Sequence, residues 1–134
     1  TQFALWCMWS SPMALSFDPR ANTVTTEDLK ILTNRHLIAL NQDRMGQQAD
    51  FISDADSLVM FAKDLENGDV ALSVTNMSGK LLEATFDFTQ IPALDTNKRY
   101  QCRDLWTGEK LSAVKHSFTT KVRPHATRVF RLSE

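Results

Sequence analysis

The sequence has little of several features that mark particular classes of protein. Its two cysteines, Cys7 and Cys102, stand far apart and form no CxxC pair, so we expect two buried thiols rather than a disulfide framework. Fifteen basic and sixteen acidic residues give a net charge of −1 without a basic block, which does not fit a nucleic-acid-binding protein. The apolar run at residues 3–9 is far shorter than the roughly 20 residues that span a bilayer. It also lacks the cationic start and small-residue cleavage site of a secretory signal. We therefore predict no nucleic-acid partner and no membrane partner.

Motifs of catalysis and metal binding are also missing. The three histidines are not at metal-ligand spacing, and HExxH, GxSxG, the P-loop and GxGxxG do not occur. Aspartates are frequent between residues 18 and 56, but carboxylates that are close in sequence do not by themselves form a glycosidase pair. In turn-rich segments such residues usually bind backbone amides. We predict no catalytic residue, no metal site and no cofactor in this chain.

The pattern up to Gly46 is helical and apolar. A chain of 134 residues with 43% hydrophobic and 23% charged residues is globular and long enough for one ordinary domain. Residues 3–9, FALWCMW, have no polar face and predict a helix buried on every side, which Ser10, Ser11 and Pro12 end. The next run, residues 12–17, has the length and composition of a parallel strand covered on both faces.

Two further helices are predicted before Gly46. The first begins at a capping box formed by Thr25 and Asp28, turns Leu29 and Leu32 inward, and ends near Asn34 in a left-handed cap. The second covers residues 36–41. Helix, buried strand and helix in succession are typical of an α/β layer.

From Ser57 onward the apolar residues recur at every second position. Stretches such as VALSVT (70–75) and LEATFD (82–87) predict antiparallel strands with one face on a core and one in water. Asn67-Gly68 predicts a hairpin with a type I′ turn. We predict a Greek-key β-sandwich, which suits short strands with regular turns. Its seven strands cover residues 57–64, 69–76, 81–88, 98–106, 109–114, 116–123 and 126–132.

Several of these segments resemble a known family. FALWCMWSSPMALSFDPR and LTNRHLIALNQDRMGQQ are similar to the closing portion of the α-galactosidases of glycoside hydrolase family 27, the melibiases. Within IALNQDRMG (38–46), Arg44 stands where the family usually has proline; DLW (104–106) and VRPH (122–125) match later motifs. The resemblance implies a mixed fold: residues 1–46 are the last βα part of a (β/α)₈ barrel, with residues 3–9 as the seventh helix and 12–17 as the eighth strand. Residues 47–134 are then a C-terminal antiparallel all-β Greek-key sandwich.

The resemblance also implies a function. The family hydrolyses terminal α-galactosides with retention, through two aspartates at the ends of earlier barrel strands. Those strands would precede Thr1, so the chain is expected to be a C-terminal fragment of a retaining glycoside hydrolase that braces the barrel and is inactive alone. An α-galactoside is the expected partner of the parent, and the resemblance implies a secreted, periplasmic or lysosome-like location for that parent, although this chain itself contains no localisation signal. The alternative is an independent carbohydrate-binding module whose exposed aromatic residues are Tyr100, Trp106 and Phe118.

A few residues are candidates for defined roles. Asp18, just after the predicted eighth strand, lies either at the rim of the sugar site or in the cap of the turn that Pro19 stiffens. Trp106 either stacks on sugar or is buried at the edge of the sandwich. Asn41-Gln42-Asp43 are expected to hold the crossing between barrel and sandwich through side-chain-to-backbone bonds, and Gly68 is expected to form the hairpin turn.

Residues 3–17 also predict self-association. Without the rest of a barrel, the helix and strand in this segment lose the neighbours that would bury them. The segment must then fold back on the β-domain or pair with another chain. We predict pairing, because an unpaired strand at residues 13–16 invites contact with a second edge.

Overall fold

The computed structural model describes residues 1–14, 18, 20 and 22–134, and within these it contains three α-helices and eight strands. The helices are α1 (Gln2–Met8), α2 (Thr26–Leu32) and α3 (Arg35–Asn41). The strands are β1 (Asp50–Ser53), β2 (Leu58–Asp64), β3 (Val70–Asn76), β4 (Leu82–Asp87), β5 (Arg99–Asp104), β6 (Lys110–Lys115), β7 (Ser117–Val122) and β8 (Thr127–Ser133). Of the helices described, none has the length and hydrophobicity needed to cross a membrane.

All the strand pairs are antiparallel, in the order β1-β2-β3-β8-β5-β6-β7-β4. Strands β5, β6 and β7 follow one another, and β4, which precedes them in the chain, lies beside β7, which is a Greek-key arrangement. Strands β6 and β7 are joined through the single pair Lys115 and Ser117, so the β4–β7 pair can fold over the face of β3, β8 and β5. Phe118 on β7 meets Phe130 on β8 edge-to-face, with ring centroids 4.7 Å apart. The predicted antiparallel sandwich is confirmed, and its seven predicted strands are β2 to β8.

The alternating pattern is correct for β4 but incomplete for β3. On β4, Ala84 and Phe86 are buried while Glu83 and Thr85 are exposed. Every residue of β3 is buried. The face of β3 that was predicted to meet water lies instead beneath the helices, because the sheet has a second layer on that side. Strand β1 was not predicted, because its sequence DFIS has no alternation of apolar and polar residues; it lies at the edge of the sheet.

The hairpin between β2 and β3 has a different turn from the one predicted. Gly68 has φ +88°, but the φ of Asn67 is not positive, so the turn is not type I′. The Gly68 N–H donates to the Leu65 carbonyl at 3.0 Å, and the Leu65 N–H donates to the Asp69 carbonyl at 3.0 Å. This is the geometry of a three-residue loop in which the last residue is left-handed, and glycine suits that position.

The capping box of α2 is present, but the end of this helix differs from the prediction. The Thr25 N–H donates to Asp28 Oδ2 at 2.9 Å, and the Asp28 N–H donates to Thr25 Oγ1 at 3.1 Å. Leu29 does not turn inward, since it is 46% exposed. Asn34 begins α3 instead of ending α2, because its side-chain oxygen accepts the N–H groups of His36 and Leu37.

The predicted strand at residues 12–17 falls partly outside the described residues. Residues 12–14 are not in a strand, and residues 15–17 are not described. A parallel strand needs a neighbouring strand for its hydrogen bonds, and no described strand of this chain lies beside residues 12–14. Cys7 and Cys102 are free and buried, as predicted.

Candidate functional site

The helices α1 and α3 cover the outer face of the sheet, opposite the sandwich core. Their apolar residues form one cluster with residues of β3 and β8 and of the loops after β2 and β5, which we call the helix–sheet cluster. Its buried members are Phe3, Ala4, Cys7, Met8, Leu37, Leu40, Leu65, Ala71, Leu105 and Val129. The sheet therefore carries a second layer, and this contact is where the helical and β parts of the chain meet.

The carbonyl end of α1 is bound by several other segments. The last carbonyls of a helix have no partner within it and need partners elsewhere. The Trp6 carbonyl accepts Asn41 Nδ2 at 3.3 Å, the Cys7 carbonyl accepts Lys63 Nζ at 3.1 Å, and the Met8 carbonyl accepts the Ala49 N–H at 3.0 Å. These donors come from α3, from β2 and from the connector before β1. We call this set of contacts, together with Ser10, the junction.

Lys63 is the central residue of the junction. Its side chain is fully buried on β2, and its ammonium group also donates to Ser10 Oγ at 2.7 Å and to the Leu40 carbonyl. Among the described residues it forms no ion pair. Burial lowers the pKa of Lys63, while the charges of Asp43 and Cys7 act in the opposite direction. This role could not be predicted from the sequence, because a lysine at an outward strand position ordinarily lies in water.

The three residues Asn41, Gln42 and Asp43 lie at the same place. Asn41 Nδ2 also donates to the Ser11 carbonyl at 2.8 Å, and Gln42 Nε2 donates to Asn41 Oδ1 at 2.7 Å. Asp43 Oδ1 accepts the N–H groups of Met45 at 3.1 Å and Glu66 at 3.0 Å. Asp43 therefore connects the end of α3 to the β2–β3 hairpin that contains Gly68.

The two candidates for the sugar rim have ordinary structural contacts. Asp18 is exposed; its Oδ1 accepts the Arg20 N–H at 2.9 Å and Arg20 Nε at 3.2 Å. The backbone bond and then the guanidinium hold the pKa of Asp18 below its usual range. Pro19 lies outside the described residues. Trp106 is half-buried against the helix–sheet cluster, and its indole N–H donates to the Thr127 carbonyl at 2.8 Å. No hydrogen bond between described residues brings Asp18 and Trp106 together.

The aromatic residues that would serve a binding module do not form an exposed platform. Tyr100 and Phe118 are 4% and 9% exposed and belong to the sandwich core. The Tyr100 hydroxyl accepts the Asp95 N–H at 2.8 Å, and Phe118 stacks on Phe86 with centroids 6.2 Å apart. Sugar binding by stacking needs an exposed ring face, which these two residues do not present.

Histidine and acidic residues in the described part of the chain form no metal-binding cluster. No three residues of the types His, Cys, Asp and Glu are placed there to hold a metal ion. His36 packs against Gly108, where an added Cβ would lie 2.6 Å from His36 Nε2. Burial lowers the pKa of His36, and the charges of Arg35 and Arg103 act in the same direction.

Asn76-Met77-Ser78 has the form of an N-glycosylation sequon, but Asn76 is fully buried. Its Nδ2 donates to the Lys80 carbonyl at 2.7 Å and to the Val122 carbonyl at 2.9 Å. Its Oδ1 accepts the Ser78 N–H at 2.8 Å. The folded chain therefore does not present this amide for modification, and Asn76 instead connects the β3–β4 turn to β7.

Comparisons with known proteins agree with this architecture. The family described as "Alpha galactosidase C-terminal beta sandwich domain" matches residues 55–132. α-Galactosidase A of Aspergillus niger is 34% identical over 133 residues, which cover 99% of this chain and 24% of the relative. α-Galactosidase 2 of Arabidopsis thaliana is 28% identical, with 99% of this chain and 33% of the relative covered. The chain thus spans about a quarter to a third of these relatives.

Solved structures show the same fold. The α-galactosidase I of Mortierella vinacea superposes with a TM-score of 0.91 at 23% identity, over 98% of this chain and 34% of that one. The α-galactosidase of Saccharomyces cerevisiae, solved with raffinose, gives a TM-score of 0.86 at 18% identity, over 98% and 42% of the two chains. The chain therefore belongs to the family of α-galactosidase C-terminal β-sandwich domains, and it corresponds to the C-terminal part of the α-galactosidases of glycoside hydrolase family 27.

Proposed function

We propose that the chain is the C-terminal part of a retaining α-galactoside hydrolase and that it does not hydrolyse its substrate alone. The observation that carries this proposal is coverage: nearly the whole chain aligns with α-galactosidase A of A. niger, but with only 24% of that enzyme. Retaining hydrolysis needs two carboxyl groups about 5 Å apart. The family resemblance assigns both groups to strands that precede Thr1.

In this proposal residues 1–46 complete the barrel and residues 47–134 brace it. The junction supports a bracing role, because the sheet binds α1 and α3 through Lys63 and through the helix–sheet cluster. A β-domain that holds the last helices of a barrel restricts their motion. It thereby stabilises the barrel without contributing a catalytic group.

The proposal is tested with a chromogenic α-galactoside. The chain alone should release no chromophore above background, whereas the same chain extended by the coding sequence upstream of Thr1 should be active. Two upstream aspartates at the ends of predicted strands should each be essential in the extended protein. Turnover by the chain alone that is lost on Asp18→Asn would overturn the proposal. An upstream sequence without barrel strands would also overturn it.

A further inference from the structure

We propose that Lys63 is a positioning residue: through its ammonium group, the β-sheet fixes the place and direction in which the chain leaves α1. Three oxygen acceptors surround Lys63 Nζ, namely the Cys7 carbonyl at 3.1 Å, Ser10 Oγ at 2.7 Å and the Leu40 carbonyl. Cys7 belongs to the last turn of α1, Ser10 follows the C-cap of that helix, and Leu40 belongs to the last turn of α3. One side chain of the sheet therefore binds the ends of both helices.

The chemistry of this site suits a cation that binds helix ends. The carbonyl end of a helix carries a partial negative charge, so an ammonium group is stabilised there. Lysine is almost never fully buried unless its charge has partners, and an apolar residue would fill the same space more cheaply. The carbonyl and hydroxyl oxygens, rather than packing, therefore account for a lysine at this position.

Few titratable groups lie near Lys63. In α1 the sole titratable residue is Cys7, and beyond the end of α3 the nearest charge is Asp43. Arg35 and His36 lie at the opposite end of α3, about 6–8 Å from Leu40 along the helix axis. On β3 the residue opposite Lys63 is Ala71. The ammonium group of Lys63 thus donates its hydrogen bonds to two backbone carbonyls and one hydroxyl. The charge of Asp43 acts on it from a greater distance, without a hydrogen bond.

The contacts around Ser10 show what Lys63 positions. Ser10 has φ +52°, a conformation that serine rarely adopts, and it directs the chain away from α1. The Ser10 hydroxyl accepts a hydrogen bond from Lys63 and donates one to the Gln47 carbonyl at 2.8 Å, so it acts both as an acceptor and as a donor. The chain that follows leads to the segment proposed as the last barrel strand. The statement that Lys63 thereby directs the chain into a barrel strand rests on the proposed function, whereas the statement that Lys63 fixes the position of α1 does not.

Hydrogen exchange followed by mass spectrometry tests the inference on the chain itself. Lys63→Met keeps the apolar stem and removes the ammonium group; Lys80→Met, in the exposed β3–β4 turn, is the matched control. In Lys63→Met we expect the amides of α1 and of Ser10 to exchange about tenfold faster through local opening. The amides of β4 and β7 should change less than about twofold, and Lys80→Met should match the wild type throughout.

Two results would overturn the inference. One is unchanged exchange of α1 in Lys63→Met. The other is an equal increase in α1, β4 and β7, which would make Lys63 a residue of general stability. If Lys63→Met does not fold, Ser10→Ala is measured instead, because it removes one of the three acceptors of the Lys63 ammonium group. The amides of α1 and of its C-terminal end should then exchange faster, without a similar change elsewhere. Unchanged exchange there would overturn the inference. Neither measurement involves hydrolysis, so a result that overturns the inference about Lys63 would leave the proposed function unaffected. Conversely, hydrolysis by the chain alone would overturn the proposed function without bearing on Lys63.

Discussion

At the scale of single residues, Gly68 and Gly108 share a positive φ but differ in their surroundings. Gly68 has φ +88° and open space around it, whereas an added Cβ at Gly108, with φ +78°, would meet His36 Nε2 at 2.6 Å. Gly68→Ala should lower the free energy of unfolding by about 1–2 kcal/mol, the cost of a left-handed residue with a side chain. Gly108→Ala should cost at least about 1 kcal/mol more, because His36 must also move. Urea unfolding measures both.

His36→Ala provides the control for this comparison. It opens space beside Gly108, so Gly108→Ala in the His36→Ala background should cost no more than Gly68→Ala does. A Gly108→Ala variant as stable as Gly68→Ala in the presence of His36 would mean that the imidazole moves aside freely.

The buried thiols predict how stability depends on pH. Burial raises the pKa of Cys7 to about 11 and that of Cys102 to about 12, from an ordinary value of 9.0. Well below pH 9 the thiols are protonated in both states, so they add no pH dependence there. Above it the unfolded chain loses its thiol protons first, and stability falls by about 1 kcal/mol per thiol between roughly pH 9 and 10. Lys63 has the opposite effect on stability, because its pKa is lowered in the folded chain. The unfolded chain keeps this proton to a higher pH, so the contribution of Lys63 to stability rises with pH.

Urea unfolding under reducing conditions from neutral to alkaline pH measures this effect. The double variant Cys7→Ala/Cys102→Ala should be less stable near neutral pH, because it loses packing, but its stability should depend less on pH above pH 9. An equally steep fall in the double variant would assign the alkaline loss to other groups.

The sequence could not predict residues whose partners are distant along the chain. Lys63 binds carbonyls 56 and 23 residues away, and Asn76 binds a carbonyl 46 residues away. A lysine within a strand and an asparagine before a turn have local interpretations that are usually correct. By contrast, the capping box of Thr25 and Asp28 was predictable because both partners lie within one helical turn.

At the scale of elements, the sequence predicted strands well where a strand has one buried face. Strands β2 to β8 lie within a residue or two of their predicted positions, since alternation and turn residues are local signals. Prediction failed where an element depends on its neighbours. Strand β1 is defined by pairing with β2, and α2 ends at Leu32 because Asn34 caps the next helix.

The β5–β6 pair contains like charges on opposite strands. Arg99 faces Lys115, and both are exposed. Like charges directly opposite one another destabilise a sheet, and an opposite-charge pair contributes roughly 0.2–1 kcal/mol. Lys115→Glu should therefore raise the free energy of unfolding by an amount in this range, measured by urea denaturation at low ionic strength.

Lys121 provides the matched control, because it already faces Glu83 across β4 and β7. Lys121→Glu should lower the stability, and added salt should reduce both effects, since exposed charges are screened. If both variants shifted the stability in the same direction, general charge or strand propensity would explain the result better than the cross-strand pairs.

At the scale of the whole molecule, the β-sandwich could be predicted from the alternation of apolar residues in the sequence, but the position of the helices could not. Apolar residues 3–9 predicted burial without saying what would cover them. In the structure Phe3, Ala4, Cys7 and Met8 are buried against α3 and the outer face of the sheet. The small side chains of Ala71 and Ser73 on that face had looked like ordinary solvent-facing positions. The division into residues 1–46 and 47–134 stays a proposal, and the helix–sheet cluster crosses it.

Self-association through residues 3–17 also stays a prediction, and the structure narrows the residues that would carry it. Because α1 turns Phe3, Ala4, Cys7 and Met8 toward the sheet, Trp6, Trp9 and Met13 are left half-buried at the edge of the helix–sheet cluster. Burying a large apolar side chain contributes about 1.5–3 kcal/mol, so these residues favour contact with a second copy. We expect a reversible dimer whose fraction rises with concentration, measured by light scattering after gel filtration. Trp6→Gln, on a residue that is only half-buried, should weaken the dimer, whereas Leu81→Gln, at an exposed leucine before β4, should not. A monomer at every concentration, with its tryptophans shielded from acrylamide, would mean that folding back onto the sheet already satisfies this segment.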